Sequence, residues 1–293
     1  VGGYLFDRIR LDSRVVMSLA QFLVSAWNWE PTVLLGCAAL SLGYLAIARF
    51  HLTRRALFYQ AGVLVLLLAL ESPIDVLGED YLFSAHMLQH LLLILIVPPL
   101  LLLGIPREWF ERLLDWRPAG KLERLLGRPA IALILAVVTL YVWHIPALYD
   151  AAVENEAIHS LEHLSFLVAA TIFWWPAINP IVDKRRLSAP GIMLYIFAGA
   201  VANTVLGIIL TFAPAVIYPV YLYPDDSFGI LAMIRTGWGL DPLSDQQLGG
   251  LLMWIPGGLF YLSAILVVFA RWFSEPEEDL PNSKPNQNIP IAD

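Results

Sequence analysis

The residues of this chain that could do chemistry are its histidines, and two of them set the problem. His86 and His90 lie in YLFSAHMLQHLLLILIVPPLLLLG, residues 81–104, a stretch long and apolar enough to cross a bilayer. Ionisable side chains are costly at that depth and mark functional sites by default. Residues four apart share one helical face, so the two imidazoles can reach a single metal ion. His159 and His163 repeat the spacing in HSLEH, and His144 stands in YVWHIP. Pro146, two residues beyond His144, removes a backbone hydrogen bond, so the helix end there can open and turn His144 inward. The sixth histidine, His51, sits among Arg49, Arg54 and Arg55 and reads as an ordinary surface residue.

Cys37 is the only cysteine, which excludes disulfides, CxxC pairs and thiolate clusters within one chain. A metal must therefore rest on imidazole, carboxylate or thioether. Glu162 can orient an imidazole or bind directly. Met87 and Met253 would favour Cu(I) over zinc, although methionine more commonly fills gaps in a core. Asp245, Gln246 and Gln247 read as a helix cap, and Asn203 as a helix–helix hydrogen bond. Three chemistries fit the histidines. Copper or zinc coordination uses the spacing most economically. HSLEH also matches H-x-x-E-H, with Glu162 as base of a membrane zinc hydrolase. Imidazoles facing each other from separate helices could instead hold haem for electron transfer. A retinal Schiff base is excluded, because Lys121, Lys184 and Lys284 are the only lysines and all fall in connections or the tail.

The elements that must position these side chains are membrane helices. The 293 residues are 58% hydrophobic and 15% charged, against about half and a quarter in soluble domains. Apolar residues come in long runs rather than alternation, so the fold class is all-α, a polytopic seven-helix bundle and not a barrel. The expected spans are residues 32–48, 57–77, 81–104, 129–149, 158–178, 190–213 and 248–273. Arginine and lysine collect in the connections after the first, third and fifth spans and after the seventh, while the alternate connections are acidic. The positive-inside rule then puts the N-terminus outside and the C-terminus in the cytoplasm. Only the arginines of the first segment and Arg235 break the pattern. His86, His90, His144, His159 and His163 consequently share the outer leaflet on three consecutive helices.

Around the membrane domain (28–273), residues 1–27 read as an amphipathic surface segment resembling a signal peptide in pattern, and 274–293 as a disordered tail. Residues 105–128 form an interfacial amphipathic stretch. Residues 214–247 are aromatic-rich, either belt anchors or a cover over a site. Pro98–Pro99 should kink or break the third span. No repeat supports an inverted-half transporter, and no basic patch suggests nucleic acid.

HMLQH with the following VPPLLLLGIP, then WHIPALYDAA, HSLEHLSF with FWWP, and DQQLGGLLMWIPGG occur in that order. Together they resemble the seven-helix CtaG family of cytochrome c oxidase assembly factors, over most of the chain from the second span onward. The chain is unlike the other proteins called CtaG, which carry one membrane anchor and a soluble, cysteine-bearing copper head. The resemblance implies a non-enzymatic role in maturing haem–copper oxidases in the bacterial plasma membrane, with copper handled on its outer side and oxidase subunits as partners. Carried onto this sequence, the family's histidine motifs match His86, Met87, His90, His144, His159 and His163. Its last-span motif matches Asp245, Met253 and Trp254. The expectation is a copper site on the five histidines, supported by Met87, Glu162, Asp245, Met253 and Trp254, with zinc or haem as alternatives.

Overall fold

The computed structural model describes residues 17–181 and 187–274, and every regular element among them is helical. Arg8, Arg10 and Arg14, the basic cluster Lys184–Arg186 and the tail from residue 275 lie outside the described residues.

A short helix α1 (Leu19–Ser25) precedes α2 (Pro31–Ile47), and α3 (Arg54–Glu71) meets α4 (Pro73–Asp80) at a 42° bend. The next 22 residues, Phe83–Gly104, comprise α5 (Phe83–Leu91), a π turn (Leu92–Ile96) and α6 (Val97–Gly104). Amphipathic helices α7 (Arg107–Asp115) and α8 (Arg117–Leu126) lead into α9 (Pro129–Trp143), bent 75° from α8. Then come α10 (Pro146–Glu154), α11 (Glu156–Ile178) and α12 (Ala189–Thr211). A final 32-residue stretch joins α13 (Pro242–Leu252), a π turn (Met253–Gly257) and α14 (Gly258–Phe273). Four helices are long and apolar enough to cross a membrane, or six if each bent pair is one span; α2 is a shorter apolar helix. Leu35, Leu64, Val138, Leu194, Ile209 and Leu266 are exposed, an outward apolar surface suited to acyl chains.

Local chemistry explains the breaks. Ser72 ends α3 and caps α4 through its hydroxyl, and Pro73 at the first helical position needs no N–H partner. The bend therefore falls inside the expected second span and turns Asp75 and Glu79 towards α5 and α11. The two prolines of the third span do not break it. Pro98 cannot supply the N–H that the Ile94 carbonyl would accept, and the indole of Trp174 donates to that carbonyl instead at 2.9 Å. With the π turn absorbing the extra residue, the helix continues. In the last stretch Asn203 donates to the Met253 carbonyl at 2.8 Å, within the π turn that holds Pro256. The last helix also starts earlier than its apolar run suggests, because Asp241 caps it and Pro242 opens it.

Packing places α5 at the centre. It lies against α4 and α13, while α11 packs along α6 and α9. Close approach depends on two glycines. A Cβ on Gly78 would stand 3.0 Å from the backbone of His86, and one on Gly249 would run into the Phe83 ring. α1 is not simply a surface helix, because Phe22 is fully buried against the Tyr81, Ile230 and Ile234 cluster.

Candidate metal centre

His86 and His90 fall on the buried face of α5, one turn apart, with their Nε2 atoms 2.8 Å from each other. At that distance one ring donates and the other accepts, so at least one of the two is neutral. From α11, Glu162 points into the same space, Oε2 at 3.6 Å from His86 Nε2 and Oε1 at 3.6 Å from His90 Nε2. His163, the next residue, completes a set whose four potential donor atoms lie within 4.8 Å of one another. All four side chains are buried.

This set is short of partners. Among the described residues, both carboxylate oxygens of Glu162, Nδ1 of His90 and Nε2 of His163 are buried without a hydrogen bond. A buried carboxylate with no donor costs several kcal/mol. A cation among the four residues would supply the partner that the Glu162 carboxylate lacks, so the donors present fit a metal ion. Imidazole and carboxylate donors suit copper and zinc alike.

The other expected residues take graded positions. His159 lies one turn before His163, ring centroids 4.0 Å apart. Its Nδ1 is paired with Glu79 of α4, while its Nε2 is buried and unpartnered. His144 ends α9 and is 7% exposed. It bonds the Leu140 carbonyl through Nδ1 at 2.7 Å, which fixes that nitrogen as the donor. Its Nε2 therefore faces the sulfur of Met87 at 3.4 Å with a lone pair when neutral. Met253 packs with Met87 and Phe83 in the apolar cluster that also holds Tyr149, Tyr218 and Tyr221. Trp254 is half-buried against Phe212, away from the histidines. Asp245 does not cap its own helix. Its carboxylate accepts the Phe83 N–H at 2.7 Å and the Ser84 N–H at 3.1 Å, capping α5 from 162 residues away. Gln246 and Gln247 tie down the preceding segment through Ile217, Ala215 and Ala213.

Several contributors were not among the expected site residues. Tyr149 of α10 and Tyr221 share a 2.8 Å hydroxyl contact, and Tyr221 donates to the Gly78 carbonyl at 2.7 Å, 3.4 Å from His86 Nδ1. Tyr218 donates to the His144 carbonyl. The long aromatic-rich segment thus covers the centre rather than only anchoring at an interface. Arg235, out of place by charge, secures that cover by donating to the carbonyls of Leu240 and Tyr221. Glu79 was legible only as one acid in an acidic connection. Gln89, the polar residue inside HMLQH, donates to Asp75 at 2.5 Å and to the Ala69 carbonyl, locking α5 onto the α3–α4 bend.

The fold and the centre define an all-helical membrane protein with a buried His/Glu donor set beneath a tyrosine cover. The family model for the cytochrome c oxidase caa3 assembly factor, Caa3_CtaG, matches residues 34–275, and the chain belongs to that family. It is also similar to uncharacterized proteins of Mycobacterium bovis and Mycobacterium tuberculosis, each 25% identical over 85% of this chain and 40% of theirs. An uncharacterized Mycobacterium leprae protein is 25% identical over 83% of this chain and 39% of its own length. The chain thus spans about two-fifths of the curated relatives it matches. No solved structure matches it.

Proposed function

We propose that the chain is a multi-pass protein of the bacterial plasma membrane that captures copper at His86, His90, Glu162 and His163 and supports its insertion into a haem–copper oxidase. The reading includes seven spans, N-terminus outside, with the centre in the outer leaflet. The observation that carries it is the Glu162 carboxylate, buried without a hydrogen bond 3.6 Å from two imidazole nitrogens of another helix. One carboxylate and neutral imidazoles carry a single negative charge, which a cuprous ion balances and a divalent ion exceeds by one. Copper is cargo here, so moderate affinity serves the role. His144 and Met87 lie beside the set as a softer imidazole–thioether pair that favours a cuprous ion.

The hydrolase reading needs Glu162 beside the metal as a base acting on water. Its position within the donor set, facing both α5 histidines, favours a ligand. A haem would need opposed imidazoles on separate helices, and the close approach of His86 and His90 on one helix supports a single small ion better. The test is elemental analysis of detergent-purified protein loaded with copper. The parent is expected to retain bound copper, and His86→Ala with His90→Ala to lose it. Equal stoichiometry in both would end the proposal.

A further inference from the structure

A cavity of about 270 Å³ opens beside the centre, between α2, the α3–α4 bend and α11. Asn28, Glu30, Thr32 and Glu156 line it where α2 and α11 begin. Further in, its wall is Asp75, Glu79, His159 and His163. Among the described residues no lysine or arginine lines it, and its acidic side chains Glu30, Asp75, Glu79 and Glu156 favour cations over anions. His163 belongs both to this wall and to the buried donor set. Away from this wall the centre is covered by Tyr149, Tyr218 and Tyr221, all fully buried and none lining the cavity.

The second observation is His159 itself, 5% exposed and on the cavity wall. Its Nδ1 is held by Glu79, and its Nε2 has no partner among the described residues. A carboxylate that accepts Nδ1–H fixes the ring orientation and presents Nε2 to a cation, which takes the place of a proton there, the arrangement of carboxylate–histidine–metal triads. The ring stands 4.0 Å, centroid to centroid, from His163 and 5.2 Å from His86. A cation on His159 would therefore be one short transfer from the final donors.

We propose that this cavity is the loading vestibule of the centre, and that His159, oriented by Glu79, is a transit site for copper on its inner wall. The inference rests on the copper reading above, and its test separates the two. Full-length protein in detergent is mixed with Cu(I) under anaerobic conditions. Tryptophan fluorescence reports the rate and elemental analysis the final stoichiometry. Glu79→Gln removes the orienting charge and is expected to slow association about tenfold while leaving stoichiometry intact. The parent's rate should fall steeply with added salt, and that of Glu79→Gln less steeply. Gly36→Phe supplies a steric control, because a Cβ there meets no atom within 4 Å and the ring can stand in the cavity. It too is expected to slow loading without changing stoichiometry, and it decides the matter if Glu79→Gln fails to fold. Rates within about twofold of the parent in the folded variants would overturn the vestibule while leaving the copper reading standing. Loss of stoichiometry in Glu79→Gln would overturn it by making Glu79 part of the final site. A parent that binds no copper would remove both proposals.

Discussion

The carboxylate of Asp245 holds the first turn of the helix that carries His86 and His90, accepting the Phe83 backbone N–H at 2.7 Å from 162 residues away. The residue before that helix, Leu82, supplies no side-chain cap. A helix start buried without acceptors would be costly, and Asp245 supplies one oxygen to each of two orphaned N–H groups. Asp245→Ala is expected to destabilise the protein by about 2 kcal/mol, the upper range for losing an N-cap. It should also weaken copper binding about tenfold by loosening the turn that orients His86, as loss of metal-site support does elsewhere. Thermal unfolding and copper titration of one preparation check both effects. A change in stability alone would make Asp245 a fold determinant with no hold on the centre.

Glu162 gives effects of opposite sign on the metal-free and loaded protein. Without a cation its oxygens are buried and unpartnered, so Glu162→Gln should stabilise the metal-free protein by about 1–3 kcal/mol by removing an uncompensated charge. Copper affinity should fall at least tenfold, since the donor set loses its only anion. Denaturant unfolding with and without copper reads both numbers. A substitution that destabilises the metal-free protein would mean that the carboxylate is satisfied before the ion arrives.

Imidazoles bind metal only when unprotonated, so acid competes with copper. Affinity is expected to be flat near neutral pH and to decline in acid, as protons compete with the ion for the ring nitrogens. The decline should be steeper than one proton per ion, because three imidazoles belong to the set. Competition titrations against a chelator across that range supply the slope. A pH-independent affinity would argue for ligands other than histidine.

Much of this centre is legible in sequence because helical spacing is a strong geometric constraint. The i, i+4 pairs His86/His90 and His159/His163 had to share faces, and the short connection before α11 had to bring α9 and α11 together. Spacing could not divide the five histidines among roles. His159 was drawn aside by Glu79 of another helix, which tertiary packing decided, and His144 by the Leu140 carbonyl one turn back in its own helix. The reach of Asp245 to Phe83 was invisible for the same reason, because a cap is normally sought beside its own helix. The bend at Ser72 was readable in retrospect, since Ser-Pro inside an apolar run is a helix-start signal. Hydrophobicity alone masked it.

Met87 tests the choice of ion. Its sulfur sits 3.4 Å from His144 Nε2, and a thioether discriminates for Cu(I) against zinc. Met87→Leu conserves volume in a fully buried position, so the expected loss of stability is below about 1.5 kcal/mol. The preference for Cu(I) over Zn(II) should shrink about tenfold, with zinc affinity unchanged. Parallel titrations with the two ions give the ratio. An unchanged ratio would make Met87 a core residue only.

Tyr221 tests whether the aromatic cover retains the ion. Burial pushes its phenol well above the ordinary range, with the neighbouring carboxylates adding to the effect. The hydroxyl therefore stays protonated near neutral pH and remains the donor to Gly78 at 2.7 Å. Tyr221→Phe keeps the ring that stands edge-on to Phe83 at 6.3 Å and removes only that donor. It leaves the Gly78 carbonyl and the Tyr149 hydroxyl each one partner short, for a loss of about 1–2 kcal/mol. Copper uptake through the acidic cavity, which Tyr221 does not line, should be unchanged. Release to a chelator should accelerate about threefold to tenfold, because a loosened cover admits water to the donor set. Stopped-flow uptake and chelator-driven release, measured on one preparation, separate the two sides of the centre. Acceleration of both would mean that ions also pass beneath the tyrosines, and the cover would then be a second route rather than a seal.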